Sequence, residues 1–115
     1  MSDRGERELL ADILESARRA SLYIAGMDYS EFVADLKTQD AVIRTLEVVG
    51  EATKRLSPDL RARHPAIPWK NMAGARDKLI HDYFGVNFEV VWQIVTQELP
   101  AVAAQIGRIL DQEDQ

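Results

Sequence analysis

The chain has 115 residues, of which 46% are hydrophobic and 29% are charged, with a net charge of −5 and no cysteine. These values predict one globular domain over residues 1–115, and they exclude disulfides and thiolate metal sites. The polar N-terminus argues against a signal peptide, and no apolar run has the length of a membrane helix. A soluble, cytoplasmic protein without membrane contact is expected.

The first half of the chain is predicted to be helical. Apolar residues recur at intervals of three and four from Leu9 to Ile24, which indicates an amphipathic first helix that ends near Gly26. Ser30 is the expected N-cap of a short second element. Apolar positions from Val42 to Leu56 then predict a third helix of about five turns, ended by Ser57-Pro58.

Two further helices are predicted around a stiff connector. Ser57 is expected to cap a brief helix that begins with Pro58 and ends at Arg63. Residues 64–68 include two prolines and disfavour helix, since a residue before proline avoids the helical region. Pro68 can begin the next helix, which should extend to about Phe84.

The last segment is also predicted to be helical. Asn87 is a natural N-cap, and an apolar stripe extends from Phe88 to Leu99 and onward to Leu110. Pro100 is expected to kink this helix or to begin a separate one. Residues 111–115 form an acidic tail that is expected to fray. The chain is therefore predicted to be an all-α bundle of four to five helices.

The helix that begins at Pro68 carries an arginine in an unusual place. At about 100° per residue, Arg76 lies within about 40° of the apolar residues Met72 and Ile80, in the middle of the apolar stripe. Burial of an unpaired charge costs several kcal/mol, so Arg76 is expected to meet a carboxylate, a partner chain or an anionic ligand. In a purely structural interpretation, Glu47 or Glu51 would neutralise it.

Three other polar residues lie near Arg76 on the same predicted helix. His81 falls at the edge of the apolar face, and Asp77, four residues earlier, can orient its imidazole and raise its pKa. Tyr83 shares the stripe of Arg76, about 10 Å further along the axis. Together these residues offer a proton shuttle, a cation for phosphate and a phenol.

The positive charge of the chain is concentrated in its middle third. Residues 37–78 contain nine Lys or Arg and five Asp or Glu, although the whole chain is acidic. A local basic region can hold phosphate because screening limits the reach of each charge to about 8–10 Å. A solvated helix face is the alternative, and charge alone favours it.

The string from Arg76 to Tyr83 fits the R-x4-6-H-x-Y signature of HEPN domains, with a four-residue spacer. The flanking strings Ile67-Pro68-Trp69 and Phe84-Gly85-Val86-Asn87, and the upstream Val49-Gly50-Glu51-Ala52, are similar to those of one branch of these domains. On these residues the chain resembles the HepT-like HEPN-domain ribonuclease toxin family, from about residue 8 to residue 110.

The resemblance implies a HEPN-type bundle that acts as a symmetric homodimer. It further implies a metal-independent endoribonuclease acting on tRNA or mRNA, with Arg76 and His81 of both subunits as catalytic residues and Asp77 in support. The expected partner is an MntA-type nucleotidyltransferase antitoxin, which uses ATP to transfer AMP to Tyr83; the chain itself would need no cofactor. RNA cleavage needs an acid and a base, and one chain offers a single plausible histidine, so two copies are expected to share a site.

Two other classes of function are compatible with the residues. The bundle could be a non-catalytic binding module that partners a minimal nucleotidyltransferase. It could also be a dimeric scaffold in which Glu47 or Glu51 neutralises Arg76.

Overall fold

The computed structural model describes residues 3–74 and 87–113, and every element in these two ranges is helical. The all-α prediction is therefore confirmed for this part of the chain. The elements are α1 (Asp3–Tyr23), α2 (Tyr29–Ala34), α3 (Leu36–Arg55), α4 (Pro58–Arg63), the helical residues 69–74 (called α5), α6 (Phe88–Gln93), a π-helical turn (Ile94–Glu98) and α7 (Leu99–Glu113). Residues 114–115 of the predicted acidic tail lie outside the described residues.

The core lies where α1 packs along α3 and against α7. The apolar stripes that predict these helices are buried in the structure, as their periodicity requires. The side chains with almost no exposed surface include Leu10, Ile13, Phe32, Val42, Leu46, Leu56, Val91, Val95 and Ile106. Burial of such side chains contributes about 1.5–3 kcal/mol each, so these stripes hold the bundle together.

The end of α1 differs from the prediction. The helix ends at Tyr23, earlier than the expected end near Gly26, because the chain turns there. Gly26 has a φ of 78°, a left-handed conformation that glycine adopts without steric cost, and Met27 N–H donates to Ile24 O over 2.9 Å. Gly26 therefore lies in the connection to α2 rather than at the end of the helix.

The predicted cap of α2 was wrong by two residues. Asp28, and not Ser30, is the N-cap: its carboxylate accepts from Glu31 N–H at 2.8 Å. The Glu31 carboxylate accepts in return from Asp28 N–H at 3.0 Å, which completes a capping box. Ser30 lies inside α2, because the reciprocal Asp–Glu pair satisfies two backbone donors where a lone serine would satisfy one.

The junction of α3 and α4 matches the prediction and adds a long-range contact. Ser57 caps α4, its hydroxyl accepting from Leu60 N–H at 3.1 Å, and Pro58 is the first helical residue. The Ser57 N–H itself donates to the carboxylate of Glu6 at 2.9 Å. Hydrogen bonding from Ser57 lowers the pKa of Glu6, which is 8% exposed. A carboxylate of α1 thus fixes the start of α4.

The chain passes Pro100 through a π-helical turn. Leu99 N–H donates to Ile94 O, five residues back, and α7 continues from there to Glu113. Proline lacks an N–H and its ring collides with the carbonyl four residues earlier, here that of Thr96. A wider turn relieves such a conflict, so the helix is neither broken nor restarted.

No helix among the described residues combines the length and the apolar character needed to cross a membrane.

Candidate functional site

The predicted site residues Arg76, Asp77, His81 and Tyr83 lie outside the described residues, within the range 75–86. Their mutual arrangement therefore stays a prediction from the sequence. The structure describes both flanks of this range, residues 64–74 before it and residues 87–93 after it. The first flank is called the entering flank and the second the returning flank.

The entering flank is a tight turn followed by the start of α5. Trp69 N–H donates to Ile67 O at 2.8 Å, and the indole N–H of Trp69 donates to His64 O at 3.0 Å. Met72 N–H donates to Pro68 O at 3.1 Å, which closes the first helical turn. Trp69 and Met72 are 6% and 7% exposed, so both are core residues, as the apolar stripe predicted for Met72. The start of the predicted catalytic helix is thus held by buried contacts.

The returning flank begins with a capped helix. The Asn87 side chain accepts from Glu89 N–H at 3.0 Å and from Val90 N–H at 3.3 Å, which confirms the predicted N-cap of α6. The Phe88 ring meets the buried Phe32 ring edge-on, with centroids 6.0 Å apart. An aromatic contact of this kind contributes beyond its buried area and fixes the direction of α6.

Trp92 extends the same aromatic cluster. Its ring centroid lies 5.3 Å from that of Phe32 and 6.2 Å from that of Tyr29. Trp92 is partly buried and packs against the core. The aromatic residues of α2 and α6 therefore serve packing.

A cleft of about 330 Å³ lies between the two flanks. Asn71 and Met72 line it from the entering side, and Val90 and Gln93 from the returning side. Its other walls among the described residues come from α3, the π-helical turn and α7, through Leu46, Val49, Ile94, Glu98, Leu99 and Val102. Described residues on both sides of the range 75–86 therefore line one cleft.

The two carboxylates considered as partners of Arg76 lie at the surface. The Glu47 side chain is 37% exposed, and its carboxylate lies 3.5 Å from the Arg44 guanidinium. Glu51 is exposed on α3. A surface pair such as Arg44–Glu47 contributes about 0–1 kcal/mol. Neutralisation of Arg76 by Glu47 or Glu51 stays a prediction, because Arg76 lies outside the described residues.

Two cations that the sequence did not single out line a hollow at the start of α5. Arg61 belongs to α4 and Lys70 to α5, and eight residues, two of them prolines, lie between the two in the sequence. The concentration of positive charge over residues 37–78 was the available signal, but periodicity within one helix could not identify this pair. Within the described ranges no group of three or more His, Asp or Glu side chains is placed to hold a metal ion.

Comparison with known proteins gives the family. The model of the family described as "Ribonuclease HepT-like" matches residues 13–109. A protein of Methanocaldococcus jannaschii named "Putative RNase MJ0127" is 46% identical over 110 residues, covering 96% of this chain and 91% of its own. A protein of Thermococcus cleftensis named "Probable ribonuclease HepT" is 40% identical over 106 residues, covering 92% of this chain and 96% of its own.

A protein of Caldanaerobacter subterraneus subsp. tengcongensis named "Putative RNase TTE0752" is 39% identical over 107 residues, covering 93% of this chain and 96% of its own. No solved structure matches the chain. The relatives align over nearly their whole length, and the family model spans the motif from Arg76 to Tyr83 together with both flanks. The chain belongs to the HepT-like ribonuclease family.

Proposed function

We propose that the protein is a metal-independent endoribonuclease, the toxin of a toxin–antitoxin pair. The observation that carries this proposal is the Arg76-x4-His81-x-Tyr83 string in a chain that aligns end to end with relatives named as RNases. Arg76 and His81 are assigned as catalytic residues, and Asp77 as the residue that positions His81. The substrate is RNA, of the tRNA or mRNA class.

The reaction is attack of a ribose 2′-hydroxyl on the adjacent phosphorus. A base removes the 2′-hydroxyl proton, the new O–P bond forms, and the bond to the 5′-oxygen breaks as that oxygen receives a proton from an acid. The products are a 2′,3′-cyclic phosphate and a free 5′-hydroxyl. His81 is assigned to proton transfer, and the Arg76 guanidinium stabilises the charge that develops on the phosphoryl oxygens.

The active unit is a symmetric homodimer. One chain supplies a single histidine in the motif, whereas the reaction needs both an acid and a base. A twofold interface along the Arg76 stripe brings His81 and Arg76 of both subunits into one shared active site. It also accounts for an arginine at the centre of the predicted apolar stripe, because burial of an unpaired charge costs several kcal/mol.

Silencing takes place at Tyr83. A nucleotidyltransferase antitoxin of the MntA type uses ATP to transfer AMP to the phenol oxygen of Tyr83, and pyrophosphate leaves. The added nucleotide is bulky and anionic, so it fills the shared active site and competes with RNA for Arg76. The ribonuclease itself needs no cofactor.

The test is cleavage of RNA by purified variants, together with growth arrest on expression without the partner. Arg76→Ala and His81→Ala should each lower the cleavage rate at least about 100-fold and relieve arrest, because each removes a group that acts in the transition state. Arg44→Ala and His64→Ala are matched controls for residue type, and both should cleave like the wild type. Cleavage should persist in EDTA.

Equal cleavage by all four variants would refute the site assignment. A wild-type chain that leaves RNA intact but binds the nucleotidyltransferase stably would instead identify a non-catalytic binding module. Loss of arrest on co-expression with the nucleotidyltransferase, retained arrest in Tyr83→Phe, and a mass increase of one AMP on Tyr83 would establish the silencing step.

A further inference from the structure

A hollow of about 640 Å³ lies between α4 and the start of α5. Its walls are largely apolar, and two cationic side chains, Arg61 and Lys70, line it. The other lining residues include Pro58, Ile67, Pro68 and Trp69. No carboxylate is found among the described residues that line it, so the hollow combines positive charge with a weakly polarisable wall.

Among the described residues, no carboxylate forms an ion pair with Arg61, in contrast to its neighbour Arg63. The Arg63 guanidinium lies 3.5 Å from the Asp59 carboxylate, one helical turn away. The Nε of Arg61, by contrast, is buried from solvent and has no hydrogen-bond partner within the described part of the chain. A buried donor left unpaired is uncommon and costs free energy. Arg61 as a whole is half-buried, so the part of its side chain that solvent reaches is a cation with which an external acceptor can pair.

We propose that Arg61 and Lys70 bind the phosphate backbone of the RNA substrate in this hollow. This inference rests on the proposed ribonuclease function. The planar guanidinium of Arg61 can bind two phosphate oxygens at once, and the exposed Lys70 ammonium adds a point charge. Part of the positive charge of residues 37–78 thus binds RNA phosphates and does not only form a solvated helix face.

Recognition here is of backbone and not of bases. Trp69, the aromatic residue in the hollow, is 6% exposed, and its indole N–H is already donated to His64 O. A ring buried in this way forms part of the wall and has no free face on which a base could stack. Phosphate contacts position a nucleic acid without reading its sequence, so Arg61 and Lys70 are substrate-positioning residues.

The helical period connects this hollow with the proposed chemistry. On the helix predicted over residues 68–84, Lys70 lies about 20° from Asp77 and about 20° from His81 around the axis. The distance along the axis from Lys70 to His81 is about 16 Å. An RNA strand bound at Lys70 would therefore extend along the face of the predicted helix that carries His81, the residue assigned to proton transfer.

The test is binding of a single-stranded RNA with 2′-O-methyl groups, which cannot be cut by 2′-hydroxyl attack. Its Kd is measured by fluorescence anisotropy over a range of salt concentrations. The double variant Arg61→Gln/Lys70→Gln should bind about tenfold more weakly, with a slope of log K against log salt smaller by about 1.4. The matched control, Arg18→Gln/Arg19→Gln, removes the same charge from α1 and should bind within about twofold of the wild type.

Urea unfolding of each variant separates binding from folding. If the double variant unfolds too readily, the single exposed substitution Lys70→Gln replaces it, and a slope smaller by about 0.7 is expected. The conservative variant Arg61→Lys/Lys70→Arg should recover most of the affinity, since it keeps both charges.

Unchanged affinity and slope in the double variant would overturn the inference, whether or not the protein cuts RNA. It would also be overturned if the variant kept its RNA affinity and lost binding to the nucleotidyltransferase, because the hollow would then belong to a protein partner. If RNA binding depends on Arg61 and Lys70 but the wild-type chain cuts no RNA, the result would support phosphate binding in the hollow and refute the ribonuclease function. A wild-type chain that binds no RNA would refute both.

Discussion

Helix α1 and the α4–α5 hollow both expose arginine or lysine, but only α1 pairs these cations within its own helix. Arg18 Nε donates to the Glu15 carboxylate at 2.9 Å, and Arg19 Nε donates to the same carboxylate at 3.2 Å. Hydrogen bonds from Arg18 and then Arg19 lower the pKa of Glu15 to about 2. Arg61 and Lys70, in contrast, share a hollow whose described lining contains no carboxylate.

The difference shows that the pairing of cations, and not their number, determines where an acidic chain can hold an anion. A carboxylate three or four residues away screens an arginine locally and competes with any ligand for its donors. The same side chain without such a neighbour keeps its donors for an outside partner. The overall charge of −5 is therefore no guide to the local behaviour of the α4–α5 hollow.

The largest effect is expected from reversing the charge in the hollow. Arg61→Glu/Lys70→Glu should weaken binding of the 2′-O-methyl RNA about 100-fold, since it removes two phosphate contacts and adds repulsion. The corresponding reversal on α1, Arg18→Glu/Arg19→Glu, should weaken binding no more than about threefold. Anisotropy titrations at low salt give both values. Equal losses in the two reversals would mean that only net charge matters and that the contrast between the regions is wrong.

A hydrogen bond from Ser57 N–H to the Glu6 carboxylate joins the start of α4 to α1. Replacement of this carboxylate should have the next largest effect, which is on the free energy of unfolding. Glu6→Gln replaces the charged acceptor for the Ser57 N–H at the start of α4 with a neutral one, and loss of the charge assistance costs about 1–2 kcal/mol. The folded-state pKa of Glu6 is lowered, so its contribution is present above the ordinary glutamate pKa of about 4.3 and is lost as pH falls through the lower folded value. The free energy of unfolding measured in urea should therefore be lower for Glu6→Gln than for the wild type at pH 7, and the two values should converge in acid.

A matched control for this variant is Asp12→Asn, which neutralises an exposed carboxylate of the same helix. Its free energy of unfolding at pH 7 should differ from the wild type by less than about 0.5 kcal/mol. A loss in Glu6→Gln no larger than this would show that the bond to Ser57 does not hold α4 in place.

Much of the fold could be predicted because its signals are local. The burial of the Leu10 and Val42 stripes follows from a period of 3.6 residues, and the caps at Ser57 and Asn87 follow from side chains that reach their own helix. The cap at Asp28 was missed because two candidates stand two residues apart, and the reciprocal bond with Glu31 decides between them.

The candidate site residues also divide into those that a local sequence pattern can identify and those that it cannot. Arg76, His81 and Tyr83 form a contiguous string, so a motif could identify them, and their geometry stays a prediction because they lie outside the described residues. Arg61 and Lys70 line one hollow from the two sides of the connector of residues 64–68, whose path depends on packing of the kind that buries Trp69. No spacing rule for a single helix predicts such a pair.

A smaller effect is expected from the cap that begins α4. Ser57→Ala removes the hydroxyl that accepts from Leu60 N–H but keeps the backbone N–H that binds Glu6. Loss of an N-cap costs about 1 kcal/mol, which should appear as a lower urea midpoint. Ser57→Thr retains a capping oxygen and should remain near the wild type. If Ser57→Ala also weakened RNA binding about tenfold while the bulk of the protein stayed folded, the position of Arg61 at the end of α4 would depend on this cap.

The smallest effect is expected from releasing the two arginines of α1. In Glu15→Gln the guanidinium groups of Arg18 and Arg19 lose their carboxylate, yet both side chains are more than half exposed, so the urea midpoint should not change measurably. The affinity for RNA should rise less than about threefold at low salt and not at all at high salt, because screened surface charges attract a phosphate only weakly. A rise of about tenfold would show that an unpaired arginine suffices wherever it stands. A smaller rise would mean that the apolar hollow around Arg61 and Lys70 is what turns unpaired charge into a binding site.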